Sequence, residues 1–262
     1  MYFERKKYVK IRNFWFETDR NRSEESGADF AEYHDLARIP ADKTGVIGIM
    51  KRQTLVTDLT ADEEVLKSAF RKNTKYEIRR AVKEGCTAVF YDADVLKKND
   101  ELIRKINREH ARLFRMKGAR VKDEYPYMHA AASKNMLSAS AAFFSDQAEC
   151  VYHVYVTGNK TARLLHSVSV YRDAVSNDER SAIGRANRFL HFQDMMHFKE
   201  MGYAVYDWGG YSQEEEFKSI SDFKLSFGGR EETVYTIYYA ASLLGKLLSG
   251  AVKKFWLKGF AE

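Results

Sequence analysis

The chain has 262 residues, 45 % of them apolar and 14 % aromatic, with a formal net charge of +6 and only two prolines, Pro40 and Pro126. This excludes a disordered or low-complexity chain and provides for one large domain, or a domain with an extension, with a packed core. No apolar run approaches the roughly 20 residues that cross a bilayer, and residues 1–7 lack the apolar stretch and cleavage site of a secretory leader.

Residues 8–17 and 44–58, rich in β-branched and aromatic side chains, predict strands, with a polar loop over 20–29 between them. Residues 61–85 predict a helix: Thr60 caps it, Asp62, Glu63 and Glu64 suit its positive end, and Gly85 ends it. A strand over 86–92 and a charged helix over 95–116 follow, then a short helix from 123 with Pro126 in its first turn. Segments 137–145, 149–157 and 161–170, separated by Asp146-Gln147 and Gly158-Asn159, predict an antiparallel meander. The helical period returns over 179–201, where Phe189, Phe192 and Met196 share a face, and stops at Gly202. A short strand over 204–207 is broken by Gly209-Gly210. A helix within 214–227 ends at Gly228-Gly229, and a strand covers 233–239. This order describes a mixed α/β (α+β) layer domain.

Cys86 and Cys150 form no CxxC or zinc pattern, so a reducing cytoplasm is the expected compartment. His191 and Asp194 lie three apart on a helix without a third ligand at suitable spacing, and no metal site is expected. GxSxG, the P-loop and the dinucleotide glycine fingerprint are absent, which counts against hydrolase, kinase and dehydrogenase readings. The basic balance favours polyanionic partners. Lys72, Lys75, Arg79 and Lys83 share one face of the 61–85 helix, with Lys67, Arg71 and Arg80 beside it; the face suits tRNA or nucleotide phosphates, and equally a solvated surface.

Three patches, in order, resemble one family. They are Phe70-Arg71-Lys72-Asn73 with Arg79-Arg80-Ala81 and Lys83-Glu84-Gly85; Asn187 to Phe192 with Gly202-Tyr203 and Tyr206-Asp207-Trp208-Gly209-Gly210; and Phe223-Lys224-Leu225-Ser226-Phe227-Gly228-Gly229. Together they resemble the Fem-type peptidyltransferases of the GNAT-like superfamily, whose relatives include acetyltransferases of polysaccharide biosynthesis. The resemblance implies a GNAT-like, mainly antiparallel sheet flanked by helices. The chain is shorter than the two-domain Fem-type enzymes. The expected division is therefore a partial N-terminal half over 1–85, the transferase core over 86–240 and a basic amphipathic helix over 241–262.

The resemblance also implies transfer of an acyl or aminoacyl group onto an amine of a cell-envelope precursor, such as a stem peptide or an amino sugar. The donor is aminoacyl-tRNA, slightly favoured, or acyl-CoA, with no permanently bound cofactor and no DNA partner. Lys224 stands where the family uses a cationic lysine, suited to stabilising the oxyanion of the tetrahedral stage, with Phe223 and Phe227 excluding water. Asp207 orients or deprotonates the amine, or caps the turn that includes Trp208. His166, at the end of a strand, is a candidate base near the acceptor. Arg180, Gly184, Arg185 and Asn187 match the place where GNAT enzymes hold CoA pyrophosphate at a helix N-terminus, Lys75 and Arg79 are candidate contacts to the polyanion, and Trp208 and Phe227 are candidate contacts to the substrate. Over 242–260, Leu244, Leu247, Leu248, Ala251 and Phe255 share one helical side with Lys246, Lys253, Lys254 and Lys258 nearby. That helix either packs on the domain's own sheet or lies on the inner face of an anionic membrane. A non-catalytic module binding RNA or membrane is the reading from another class.

Overall fold

The computed structural model describes residues 1–116, 118, 121–144, 149–170 and 174–256, with side chains in the last helix as far as Val252. In chain order the elements begin β1 (Tyr2–Lys6), β2 (Lys10–Trp15), β3 (Phe30–Leu36), β4 (Val46–Asp58), α1 (Glu63–Ala69), α2 (Lys72–Lys83), β5 (Cys86–Tyr91), α3 (Ala93–Lys98), α4 (Asp100–Met116) and α5 (Tyr125–Ser133). They continue as β6 (Leu137–Phe144), β7 (Val151–Gly158), β8 (Thr161–Ser169), α6 (Asn177–Glu200), β9 (Val205–Tyr211), α7 (Lys218–Leu225), β10 (Arg230–Ala240) and α8 (Leu243–Trp256). Two compact units result: Met1–Thr54 with Glu232–Glu262, and Leu55–Glu231. The expected division at 85/86 and 240/241 does not follow these units, since the whole basic helix region belongs to the larger one and both chain ends to the smaller.

In the smaller unit the strand order is β1-β2-β3-β10-β4. β1 pairs antiparallel with β2, β2 parallel with β3, and β3 antiparallel with β10. Phe14 stacks on Tyr33 at 4.4 Å, and Tyr33 meets Tyr239 edge-on at 5.6 Å. Charge is buried alongside these rings. Arg20 grips Glu25 through two hydrogen bonds of 2.7 and 2.8 Å, Arg5 reaches Glu32 at 3.0 Å, and Arg52 reaches Asp35 at 2.8 Å.

The smaller unit ends in α8. Its sheet-facing side consists of Gly245, Ser249 and Val252, and Leu243, Leu244, Leu247 and Leu248 are exposed. Packing of this leucine side on the domain's own sheet, one of the two expected arrangements, is therefore not what the fold adopts. Phe255, Trp256 and the lysine side chains beyond Val252 lie outside the described side chains.

In the larger unit the order is β9-β8-β7-β6-β5, with β5 to β8 consecutive and antiparallel and β8 parallel to β9. The meander expected over 137–170 is present. Its second turn is a two-residue hairpin in which Asn159 and Lys160 both take positive φ, +43° and +58°, which suits the right-handed twist of the flanking strands. The Asp146-Gln147 turn lies outside the described residues. α6 supplies Ile183, Ala186, Phe189, Leu190, Met195 and Phe198 to a core that also holds Tyr155, Trp208 and Phe227. Cys86 and Cys150 are buried and free, and burial pushes their thiols up to about 12 and about 11.

The helix expected over 61–85 is two helices. Phe70 turns its ring into the core against Phe192 and Phe227, and the Arg71 N–H donates to the Ser226 carbonyl at 2.8 Å instead of continuing the helix. The expected 95–116 helix is likewise divided at Asn99, whose side chain accepts the Leu102 N–H at 3.0 Å as an N-cap. Among the described residues no helix is long and apolar enough to cross a membrane.

Candidate functional site

The site begins where the parallel ladder of the larger unit stops. β8 and β9 pair only over Thr161–Arg163 and Val205–Asp207, although β8 continues to Ser169 and β9 to Tyr211. The break expected at Gly209-Gly210 is a kink within β9. Gly209 takes φ +71°, and a Cβ there would lie 2.9 Å from the Leu164 carbonyl oxygen and 3.3 Å from the Arg163 guanidinium. Only glycine accommodates both that φ and that approach.

Lys224, in the last turn of α7, donates from Nζ to the Gly210 carbonyl at 2.6 Å. Burial and then the Arg163 charge lower its pKa to about 8, against the opposing charge of Asp207. Phe223 lies under a second cation: the Arg188 guanidinium sits 5.0 Å from its ring centre. Burial lowers Arg188 with only Glu77 opposing, and its buried Nε has no hydrogen-bond partner. Arg163 and Lys224 thus sit together at the end of the β8–β9 ladder, with Arg188 over the adjacent Phe223. Such an arrangement stabilises negative charge that arrives or develops there, most strongly where water is scarce. Asp207, buried, accepts the Gly209 N–H at 2.8 Å, so it caps the kinked turn as one of its two expected roles requires.

Behind Phe223 lies a buried chain of polar side chains. His191 is 5.5 Å from Phe223 and 4.7 Å from Trp208, centre to centre. Its Nδ1 is 2.7 Å from the Tyr206 hydroxyl, which is 2.8 Å from that of Tyr155, and Tyr155 donates to Asp194 Oδ2 at 2.5 Å. His153 bridges Asp194 at 2.6 Å and the Asn187 side chain at 2.8 Å. Burial holds His191 well below its ordinary pKa, and His153, Lys224 and Arg188 add to the shift. The third group that His191 and Asp194 lacked in the sequence is His153, and one ligating atom of each lies within 4.8 Å of the others. The two imidazole centres are 3.9 Å apart with the rings tilted by 30°, and both nitrogens of His153 and Nδ1 of His191 are already in hydrogen bonds. A metal ion would have to displace those bonds, so the geometry is that of a hydrogen-bonded core.

The remaining expected residues separate clearly. Trp208 and Phe227 are core: Trp208 is fully buried with its indole N–H on Thr57 at 3.0 Å, and Phe227 packs 4.8 Å from it. Neither presents a surface to a substrate, which corrects their expected binding role. His166 packs 4.2 Å from His110 with the rings tilted, and burial lowers its pKa to about 3, so it stays neutral and is too weak a base for the role expected of it. The expected pyrophosphate cradle is also corrected. α6 starts at Asn177 with Ser176 as its cap, so Gly184, Arg185 and Asn187 lie well inside the helix, where their N–H groups are spent on its own ladder. Arg185 is held by Glu84 at 2.7 and 3.0 Å, Asn187 by His153, and Arg180 is exposed at the first turns with its guanidinium 3.3 Å from the Ala174 carbonyl. On α2, Lys72, Arg79 and Lys83 are exposed and Lys75 is half-buried, so the basic face survives the division of its helix. Arg163, Arg188 and His153 were not singled out in the sequence. Arg188 stood inside a family-like run, and a lone histidine in an alternating strand carries no signal.

No protein-family model matches the sequence, and no curated protein matches it. Solved structures resemble it in fold. FemX matches with a TM-score of 0.61 at 12 % identity, over 95 % of this chain and 86 % of its own. The C-terminal domain of an Agrobacterium fabrum protein assigned as a lysylphosphatidylglycerol synthetase matches at 0.53 and 14 %, over 97 % and 84 %. L-PGS from Bacillus licheniformis matches at 0.50 and 11 %, over 95 % and 83 %. At such identities the likeness shows the fold: a mixed α/β, mainly antiparallel GNAT-like sheet flanked by helices.

Proposed function

We propose that the chain is a transferase that moves an acyl or aminoacyl group onto an amine of a cell-envelope precursor, with aminoacyl-tRNA as the favoured donor. The observation that carries this reading is Lys224: a half-buried ammonium with a lowered pKa beside Arg163, its neighbour Phe223 lying under the Arg188 guanidinium. The fold shared with FemX and L-PGS supports the same class of chemistry.

In the reaction, the neutral amine attacks the carbonyl carbon of the donor ester. The new C–N bond forms as the carbonyl π pair moves to oxygen, and Lys224 meets that oxyanion with its N–H. Collapse breaks the C–O bond. The amine gives up a proton and the departing tRNA hydroxyl gains one. Asp207, next to the same cations, orients the attacking amine. The exposed basic face of α2, with Lys75 and Arg79, supports tRNA as the donor. The position of Gly184 and Arg185 inside α6 removes the main sequence argument for acyl-CoA. The acceptor as a stem peptide or amino sugar, and a cytoplasmic site of action, belong to the same reading.

The test offers the purified protein radiolabelled aminoacyl-tRNA or acetyl-CoA with a panel of amine acceptors. Aminoacylation that Lys224→Ala abolishes supports the reading. Acetylation from acetyl-CoA, with a raised melting point in its presence, replaces it by an N-acetyltransferase. RNA or membrane binding that Lys224→Ala leaves intact, with no acceptor modified, replaces it by a binding module.

A further inference from the structure

The smaller unit turns an apolar helix side to solvent. In α8, Leu243, Leu244, Leu247 and Leu248 are 78, 47, 83 and 37 % exposed. Their spacing of one and four puts them on one side of the helix. This inverts the usual arrangement, in which the apolar stripe of a surface helix faces the core. Anchors at its N-terminus hold that orientation. A Cβ on Gly245 would overlap the Asp29 carbonyl oxygen and lie 3.5 Å from the Ala240 Cα, so this side alone approaches the sheet closely. Ser242 Oγ donates to Asp29 Oδ1 at 3.0 Å and accepts the Gly245 N–H at 3.0 Å, capping the helix where it meets the strand.

A second element packs on the same cluster as the underside of α8. Val252 of α8 and Val9 of the β1–β2 turn cover one cluster, Ile11, Phe30, Ile47, Tyr238 and Ala240. Beside Val9, Tyr8 is 87 % exposed, with the Lys7 ammonium 5.4 Å from its ring centre. Within these two segments the charge is basic, and the Asp29 carboxylate nearby is occupied by Ser242 and the Lys10 N–H. Residues 5–16 and 241–256 contain no Asp or Glu, whereas Lys6, Lys7, Lys10 and Lys246 stand among the exposed apolar groups.

We infer that this face of the smaller unit docks on an anionic lipid bilayer, its leucines and Tyr8 entering the boundary between headgroups and acyl chains while the lysines meet lipid phosphates. Charge selects this occupant over a protein: lysine is depleted from protein–protein interfaces, whereas exposed lysines set among exposed apolar side chains complement an anionic leaflet. The inference stands on this surface alone and does not depend on the transfer reaction.

The full chain is sedimented with vesicles of equal parts phosphatidylglycerol and phosphatidylcholine, and with vesicles of phosphatidylcholine alone. Wild type is expected to pellet with the anionic vesicles and less with the neutral ones. Leu244→Gln with Leu247→Gln is expected to weaken that binding about tenfold or more, with an unchanged circular dichroism spectrum because both side chains face water. Tyr8→Ser, on a separate element, gives an independent reading of the same loss. Wild type remaining in the supernatant overturns the inference, as does a double variant that pellets like wild type. A wild type that is dimeric without lipid and monomeric as the double variant assigns the face to self-association and also overturns it.

Discussion

Arg20 in the smaller unit and Lys224 in the larger are both cations drawn out of water, and they respond in opposite directions. For Arg20, burial lowers the pKa, yet Glu25 and Asp42 together outweigh it and the value is raised. For Lys224, burial and the Arg163 charge outweigh Asp207 and the value falls to about 8. Arg188 follows Lys224, with burial exceeding the help from Glu77. A buried cation with a matched carboxylate is part of the architecture; one that burial leaves less than fully compensated is poised to meet charge from outside.

The contrast can be broken from either side. Removing the acid from the paired side, Glu25→Ala, should cost about 3–5 kcal/mol of stability by stranding Arg20, read as a lowered urea midpoint. The Lys224→Ala exchange should do the reverse: transfer falls by about 10²–10³-fold, roughly 2.7–4 kcal/mol of transition-state stabilisation, while the urea midpoint holds. A fall in the midpoint with activity kept would make Lys224 a structural residue. The pH profile sharpens the point. Because the protonated lysine is the useful form, the transfer rate should decline as pH rises through about 8, and an unchanged rate up to pH 10 would remove the ammonium from the chemistry. The smallest effect is expected on α2: Lys75→Glu with Arg79→Glu should weaken tRNA binding several-fold and flatten its salt dependence. Equal salt slopes for variant and wild type would return that face to the role of a solvated surface.

What the sequence made legible had local causes. The meander over 137–170 followed from alternation and turn residues, and α6 from the spacing of Phe189, Phe192 and Met196. β3 was hidden because Glu32 and His34 interrupt its apolar pattern, and they are tolerated there because Arg5 reaches Glu32. The break after Phe70 was hidden because its acceptor is the carbonyl of Ser226, far along the chain. At the site, Lys224 and Asp207 were found through a family-like run and brought close enough for Asp207 to act on the lysine's charge. The pyrophosphate cradle failed because α6 begins earlier than its glycine suggested. Arg163 became visible only when β8 lay beside β9 and register set it opposite Asp207.

The buried row from His191 to Asp194 has one further consequence. Asp194 Oδ2 accepts the Tyr155 proton, so Tyr155 must take its own from Tyr206, and Tyr206 in turn from His191 Nδ1. With Asp194 as the carboxylate, one proton per contact fixes this sequence of donors. The carboxylate at one end therefore selects the tautomer of the imidazole at the other, leaving Nε2 as the basic nitrogen. Tyr155→Phe would sever that instruction without touching His191, and nitrogen-15 shifts of the ring would register a mixture of the two tautomers.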